Sequence, residues 1–102
     1  MKAIIESINE RSKVKCSLHN IRLNLKAIRS YEKILSTDYL CKGIDIDKGR
    51  AKINSLIDQC VTELAEIQPL CNKYHELFKQ DFEAMVKALQ TVAKRQPLTP
   101  IN

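Results

Sequence analysis

The sequence predicts an all-α fold: a long antiparallel helical hairpin whose second helix is kinked or broken at Pro69, with a three-helix bundle as the alternative. Three observations predict it. Punctuation is sparse, since 102 residues contain only Gly43 and Gly49, and all three prolines lie at or beyond Pro69. Apolar residues recur at alternating steps of three and four along two long stretches, the spacing of one helical face. Between those stretches the segment TDYLCKGIDIDKG collects both glycines and three aspartates, the chemistry of a connection.

The first helix spans about residues 2–36, with Val14, Leu18, Ile21, Leu25, Ile28 and Leu35 on its seam and Glu32 as the one polar break. The connection covers residues 37–47. Asp47 suits the N-cap of the next helix. Tyr39, Leu40, Ile44 and Ile46 are expected to cover one end of the bundle. The second helix spans about residues 48–95. Its stripe is Ile53, Ile57, Cys60, Leu64, Ile67, Cys71, Tyr74, Phe78, Asp81, Met85, Ala88 and Val92, flanked by Leu56, Val61, Leu70, Leu77, Phe82 and Leu89.

Pro69 interrupts this run, because proline removes a backbone donor and clashes with the carbonyl four residues back, here Ala65. The heptad phase is unchanged across it, and Glu66-Ile67-Gln68 offers no capping residue. A bend at Gln68-Pro69 within a continuing arm is therefore expected. In the alternative, a true break at Pro69 makes three helices that close their own core. Residues 1–95 form a single helical domain, and 96–102, with Pro97 and Pro100, form an extended tail. The apolar face of the second arm is wider than a two-helix seam can hide. A second copy of the chain, as a homodimer, or a larger partner is expected to cover it.

Composition narrows the function. Hydrophobic residues at 44% and charged residues at 28% are ordinary for a water-soluble domain. With two Phe, three Tyr and no Trp, an aromatic platform for stacking bases is not expected. No secretory pattern follows Met1, and no apolar run reaches membrane-spanning length, so a cytoplasmic protein with no membrane contact is expected. Cys16, Cys41, Cys60 and Cys71 have neither metal-knuckle nor redox-motif spacing and read as reduced thiols.

Nor does the sequence present catalytic equipment. It lacks a Gly-rich phosphate loop, a nucleophile elbow and a definable carboxylate pair. Asp45 and Asp47 lack the remaining ligands of a calcium loop. Cys16-x-x-His19 and Cys71-x-x-x-His75 would approach each other in an antiparallel hairpin, but no tight-turn knuckle supports a zinc site. A non-enzymatic protein without metal or cofactor is expected.

Charge is the feature left over. The first 37 residues hold eight Lys or Arg against three Glu, whereas five bases meet six acids from Ile53 onward. Lys15, His19, Arg22, Lys26, Arg29 and Lys33 form a line on the first helix, about 27 Å long at 1.5 Å per residue. The first five each follow a seam residue immediately. In an ordinary bundle such bases would reach across to Asp58, Glu63 and Glu66. Yet Lys15, Arg22 and Lys26 have no acid at helical spacing on their own helix, so the six residues together are the candidate partner-binding surface. Three classes of function fit: a modulator of a larger protein, a basic protein that contacts DNA phosphates, and a self-assembling structural bundle.

In size, in the cationic first helix from Arg11 to Lys33, and in the long second arm interrupted at Gln68-Pro69, the chain resembles the anti-RecBCD proteins of lambdoid phages. The resemblance implies binding to the RecBCD nuclease–helicase in the host cytoplasm and inhibition or modulation of it in favour of phage DNA recombination. It implies no nuclease activity in this chain. If Gln68-Pro69 were exposed and non-helical, a prolyl isomerase would be a further partner.

Overall fold

A computed structural model describes residues 2–37 and 43–95, and every one of them except Tyr74 is α-helical. Helix α1 is Lys2–Thr37, α2 is Gly43–Lys73 and α3 is His75–Arg95. The fold is all-α with three helices, and no strand occurs among the described residues.

Contacts between helices set their directions. Asn20 Nδ2 donates to Glu63 Oε1 at 3.4 Å, and Lys73 Nζ to Glu10 Oε1 at 2.9 Å, so α2 descends as α1 rises. Arg22 meets Asp81, and Arg95 meets Glu32, so α3 rises with α1. Length agrees. Helices of 31 and 21 residues laid end to end would span about 78 Å at 1.5 Å per residue, but the longest dimension is 59 Å. Helix α3 is folded back on α2, giving an up-down-up bundle.

This corrects the hairpin with one bent second arm. Helix α2 passes through Pro69 and ends only at Lys73; the chain reverses at Tyr74, five residues later than the three-helix alternative places its break. Ala65 and Pro69 both lie on the exposed side of α2, where water can satisfy the Ala65 carbonyl that the proline leaves without a donor. At the reversal the Tyr74 amide donates to the Leu70 carbonyl at 2.9 Å, closing α2. Its own carbonyl accepts from the amides of Leu77 at 3.0 Å and Phe78 at 3.2 Å, opening α3. No described residue has a positive φ, so the reversal requires no glycine. Glu10 on α1 holds the turn: one carboxylate oxygen accepts from Lys73 Nζ at 2.9 Å and from the Tyr74 hydroxyl at 2.8 Å.

The start of α2 is also corrected. It begins at Gly43, so Asp47 sits inside the helix, where a carboxylate near the N-terminus still complements the helix dipole. Ile46 is half-buried, whereas Tyr39, Leu40 and the tail 96–102 lie outside the described residues. Further along α2, a Cβ added at Gly49 would stand 2.9 Å from Leu35 Cδ2, so the absent side chain lets α1 and α2 approach closely there.

One core runs the length of the bundle. Val14, Ile21 and Ile28 from α1 and Ile53, Cys60 and Ile67 from α2 are all but inaccessible, and Phe78, Leu89 and Val92 close the core from α3. The second arm's wide apolar face is buried in large part within the chain itself. It is divided between two helices that face each other and α1. Leu56 and Leu89, read as flanking, are buried, while Asp81 on the stripe is exposed. Exposed large apolar side chains remain at Ile4, Ile5 and Ile8, in the turns of α1 that precede Glu10, and at Leu23, Ile34, Val61 and Leu77.

Two outcomes test this packing. Ile21→Ala or Ile67→Ala should each lower unfolding free energy in urea by roughly 2–5 kcal/mol, the range for deleting buried aliphatic groups; a decrease below that range would mean the site is not enclosed. The second concerns Glu10. Its carboxyl is held below the ordinary value by the Lys73 hydrogen bond and then by Tyr74, and Lys73 is held above its own by Glu10. A depressed carboxyl stabilises the fold above its unfolded pKa and loses that effect as pH falls through the folded value. A raised lysine stabilises below its unfolded pKa and loses the effect as pH rises through the folded one. The pair thus acts across neutral pH. Glu10→Gln should melt at a lower temperature than the parent at pH 7, with the gap shrinking on acidification through the carboxylate range. A gap that stays constant into strong acid would exclude this role.

Candidate partner-binding surface

The seam of α1 determines where its bases stand. Val14, Leu18, Ile21, Leu25 and Ile28 are buried, so the residue after each lies on the rim of the buried stripe. Lys15, His19, Arg22, Lys26, Arg29 and Lys33 are all exposed, and the structure brings them into one continuous line on one element.

The acids expected to neutralise the line do not reach it. Helix α2 packs on the other flank of α1, where Glu63 accepts from Asn20, and no salt bridge joins Asp58, Glu63 or Glu66 to the six bases. Glu32, the one acid at helical spacing from Arg29, is gripped at both oxygens by Arg95, at 3.0 and 3.3 Å. Arg22 Nη2 lies 3.7 Å from Asp81 Oδ1 with both side chains about half exposed, a separation and setting that contribute little. Lys33 is also engaged. Lys15, His19, Lys26 and Arg29 form no ion pair among the described residues.

Among the described residues a hollow borders α1 on either flank. The larger, about 900 Å³, lies between α1 and α2 and is lined by amides and hydroxyls such as Asn20, Asn24, Asn54 and Thr62, with Asp58 and Glu63 but no base. The smaller, about 260 Å³, lies between α1 and α3 and is lined by Arg11, Lys15, Leu18, Arg22, Leu77, Phe78 and Asp81. Size favours the first. Chemistry favours the second, which touches the cationic line and combines it with an apolar floor. Arg11, Leu77 and Asp81 were not among the sequence candidates. Arg11 precedes Lys15 by one helical step and extends the line, a signal the sequence did carry. The approach of Leu77 and Asp81 depends on the reversal at Tyr74.

The remaining candidates disperse. Cys16 is exposed on α1 while Cys71 is buried in the core, and His19 and His75 are exposed. No group of three or more His, Cys, Asp or Glu side chains is placed to hold a metal ion among the described residues. Gln68 and Pro69 are exposed but helical, unlike the non-helical segment a prolyl isomerase would take. Burial pushes the Cys60 thiol up, partly offset by an Asn24 hydrogen bond and reinforced by Glu63; burial alone raises Cys71. No helix among the described residues is long and apolar enough to cross a membrane.

No protein-family model, curated protein or solved structure matches the chain.

The thiols give a direct check on the packing behind this surface. Iodoacetamide at pH 8 followed by peptide mapping should modify Cys16 readily and leave Cys60 and Cys71 protected until denaturant is added, because only an accessible thiolate reacts. Comparable native-state rates at all three would contradict the described core.

Proposed function

We propose that this chain is a non-enzymatic modulator that lays the line from Lys15 to Lys33 on an acidic surface of a larger protein machine and alters its activity. One observation carries the reading. Lys15, His19, Lys26 and Arg29 stand exposed along one helix and outside any ion pair among the described residues, while the neighbouring acid Glu32 is bound at both oxygens by Arg95. A preorganised row of like charges binds without the cost of ordering a loop, and it speeds encounter with a surface of opposite sign.

The resemblance to the anti-RecBCD proteins makes the host RecBCD nuclease–helicase the first target to try, with phage recombination as the beneficiary. A protein surface is favoured over DNA because the line borders apolar groups at Leu18, Leu77 and Phe78, from which phosphates would gain nothing. Purified RecBCD should be retained by the immobilised chain and its nuclease activity altered. Reversing Arg22, Lys26 and Arg29 together to Glu should leave helicity by circular dichroism unchanged. At about 1 kcal/mol for each exposed charge pair with the target, affinity should fall about 100-fold. Undiminished retention of the triple variant would remove the line from the mechanism. Duplex DNA binding that weakens steeply with salt, without retention of RecBCD, would instead favour phosphate contacts.

A further inference from the structure

We infer that the hollow between α1 and α3 is the anchor point for an acidic segment of the partner protein that carries one large apolar side chain. The apolar group packs on Leu77 above the buried Leu18 and Phe78, and the carboxylates beside it meet Arg11, Lys15 and Arg22. The inference rests on the proposed function and names the chemistry that this part of the surface selects.

The floor is preformed. Leu18 and Phe78 belong to the core and are 2% and 4% exposed, so they fix the base of the hollow while offering an incoming group little surface of their own. Leu77 stands beside them 57% exposed, a large apolar side chain left in water next to three bases. At about 260 Å³ the hollow falls below the roughly 300–1,000 Å³ of small-molecule sites. It suits one side chain of a peptide better than a whole metabolite.

The rim supplies the second half of the specificity. Three bases face one acid, Asp81. The Arg22–Asp81 approach of 3.7 Å is longer than a hydrogen bond, so the guanidinium keeps donors for an incoming carboxylate. Arg11 is half-buried, and its Nε donates to the Ser7 carbonyl at 3.3 Å, which steadies the side chain and leaves its Nη groups for the ligand. Asp81 disfavours an anion placed directly over the floor. Carboxylates are thereby steered to either side of the apolar group, an alternation that a peptide provides and a chain of phosphates does not. The larger hollow between α1 and α2 has no base to make the same selection.

Two fluorescein-labelled peptides test this against the full chain by anisotropy: Gly-Asp-Glu-Phe-Glu-Asp-Gly and the same peptide with Ala in place of Phe. The Phe peptide should bind at least tenfold more tightly. Leu77→Ser, a change at an exposed position whose melting curve serves as the folding control, should remove most of that preference while leaving the weaker, charge-driven binding of the Ala peptide. Lys15→Glu combined with Arg22→Glu should weaken both peptides. Equal binding of the two peptides, or a preference that survives Leu77→Ser, overturns the anchor and leaves the cationic line standing. Absence of binding to either peptide also overturns the anchor. If the Arg22, Lys26 and Arg29 reversal then fails to weaken retention of RecBCD, both readings fall.

Discussion

A single carboxylate oxygen of Glu10 accepts both the Lys73 ammonium and the Tyr74 hydroxyl, and this contact ties the α2–α3 reversal of the chain to the first helix. Everything after Tyr74 depends on the direction taken there. Because α3 returns along α1, Phe78, Leu89 and Val92 reach the groove that α1 and α2 leave open. A domain of this size buries a smaller share of its surface than a large one does. Without the third helix a continuous apolar face would meet water, and the pair would need a partner merely to remain folded. With it, the chain supplies its own core.

The same return determines the electrostatics. Helix α2 occupies the amide-bearing flank of α1, through Asn20 and Asn24, and α3 uses Glu32 to hold Arg95. Asp81 is the acid that α3 brings up to the bases of α1, and it approaches Arg22 only loosely. Lys15 with His19, Arg22 with Lys26, and Arg29 with Lys33 are neighbours one helical turn apart. When both members are charged, such pairs destabilise a helix by a few tenths of a kcal/mol each. The fold tolerates that repulsion on its longest element. An acidic surface laid along the line, as the proposed binding role requires, would relieve it.

Much of the architecture was legible in the spacing of residues. Val14, Leu18, Ile21, Leu25 and Ile28 are buried as their periodicity requires, and so are Ile53, Cys60, Leu64, Ile67, Cys71, Phe78 and Val92. Exposure of the six bases followed from the same periodicity. Pro69 was the misleading residue. The disruption a proline causes depends on whether the orphaned carbonyl can find water, and Ala65 lies where it can. Tyr74 carried no comparable warning, since it is apolar enough to belong to the stripe and forms its turn without glycine or a positive φ.

Periodicity is a local property, so residues three and four apart dictated which faces of each helix shun water and which side of α1 carries the charge. Heptad phase, however, reads the same whether a helix continues or doubles back, because reversal changes the direction of the axis and leaves the spacing along the chain untouched. The reversal is seen only in what it brings together: Phe78, Leu89 and Val92 are buried against α1 and α2, and residues more than sixty positions apart meet, Glu10 with Tyr74 and Glu32 with Arg95. Burial of those α3 residues divides the apolar face between two helices around one core, and the same reversal sets Leu77 and Phe78 beside Lys15 and Arg22.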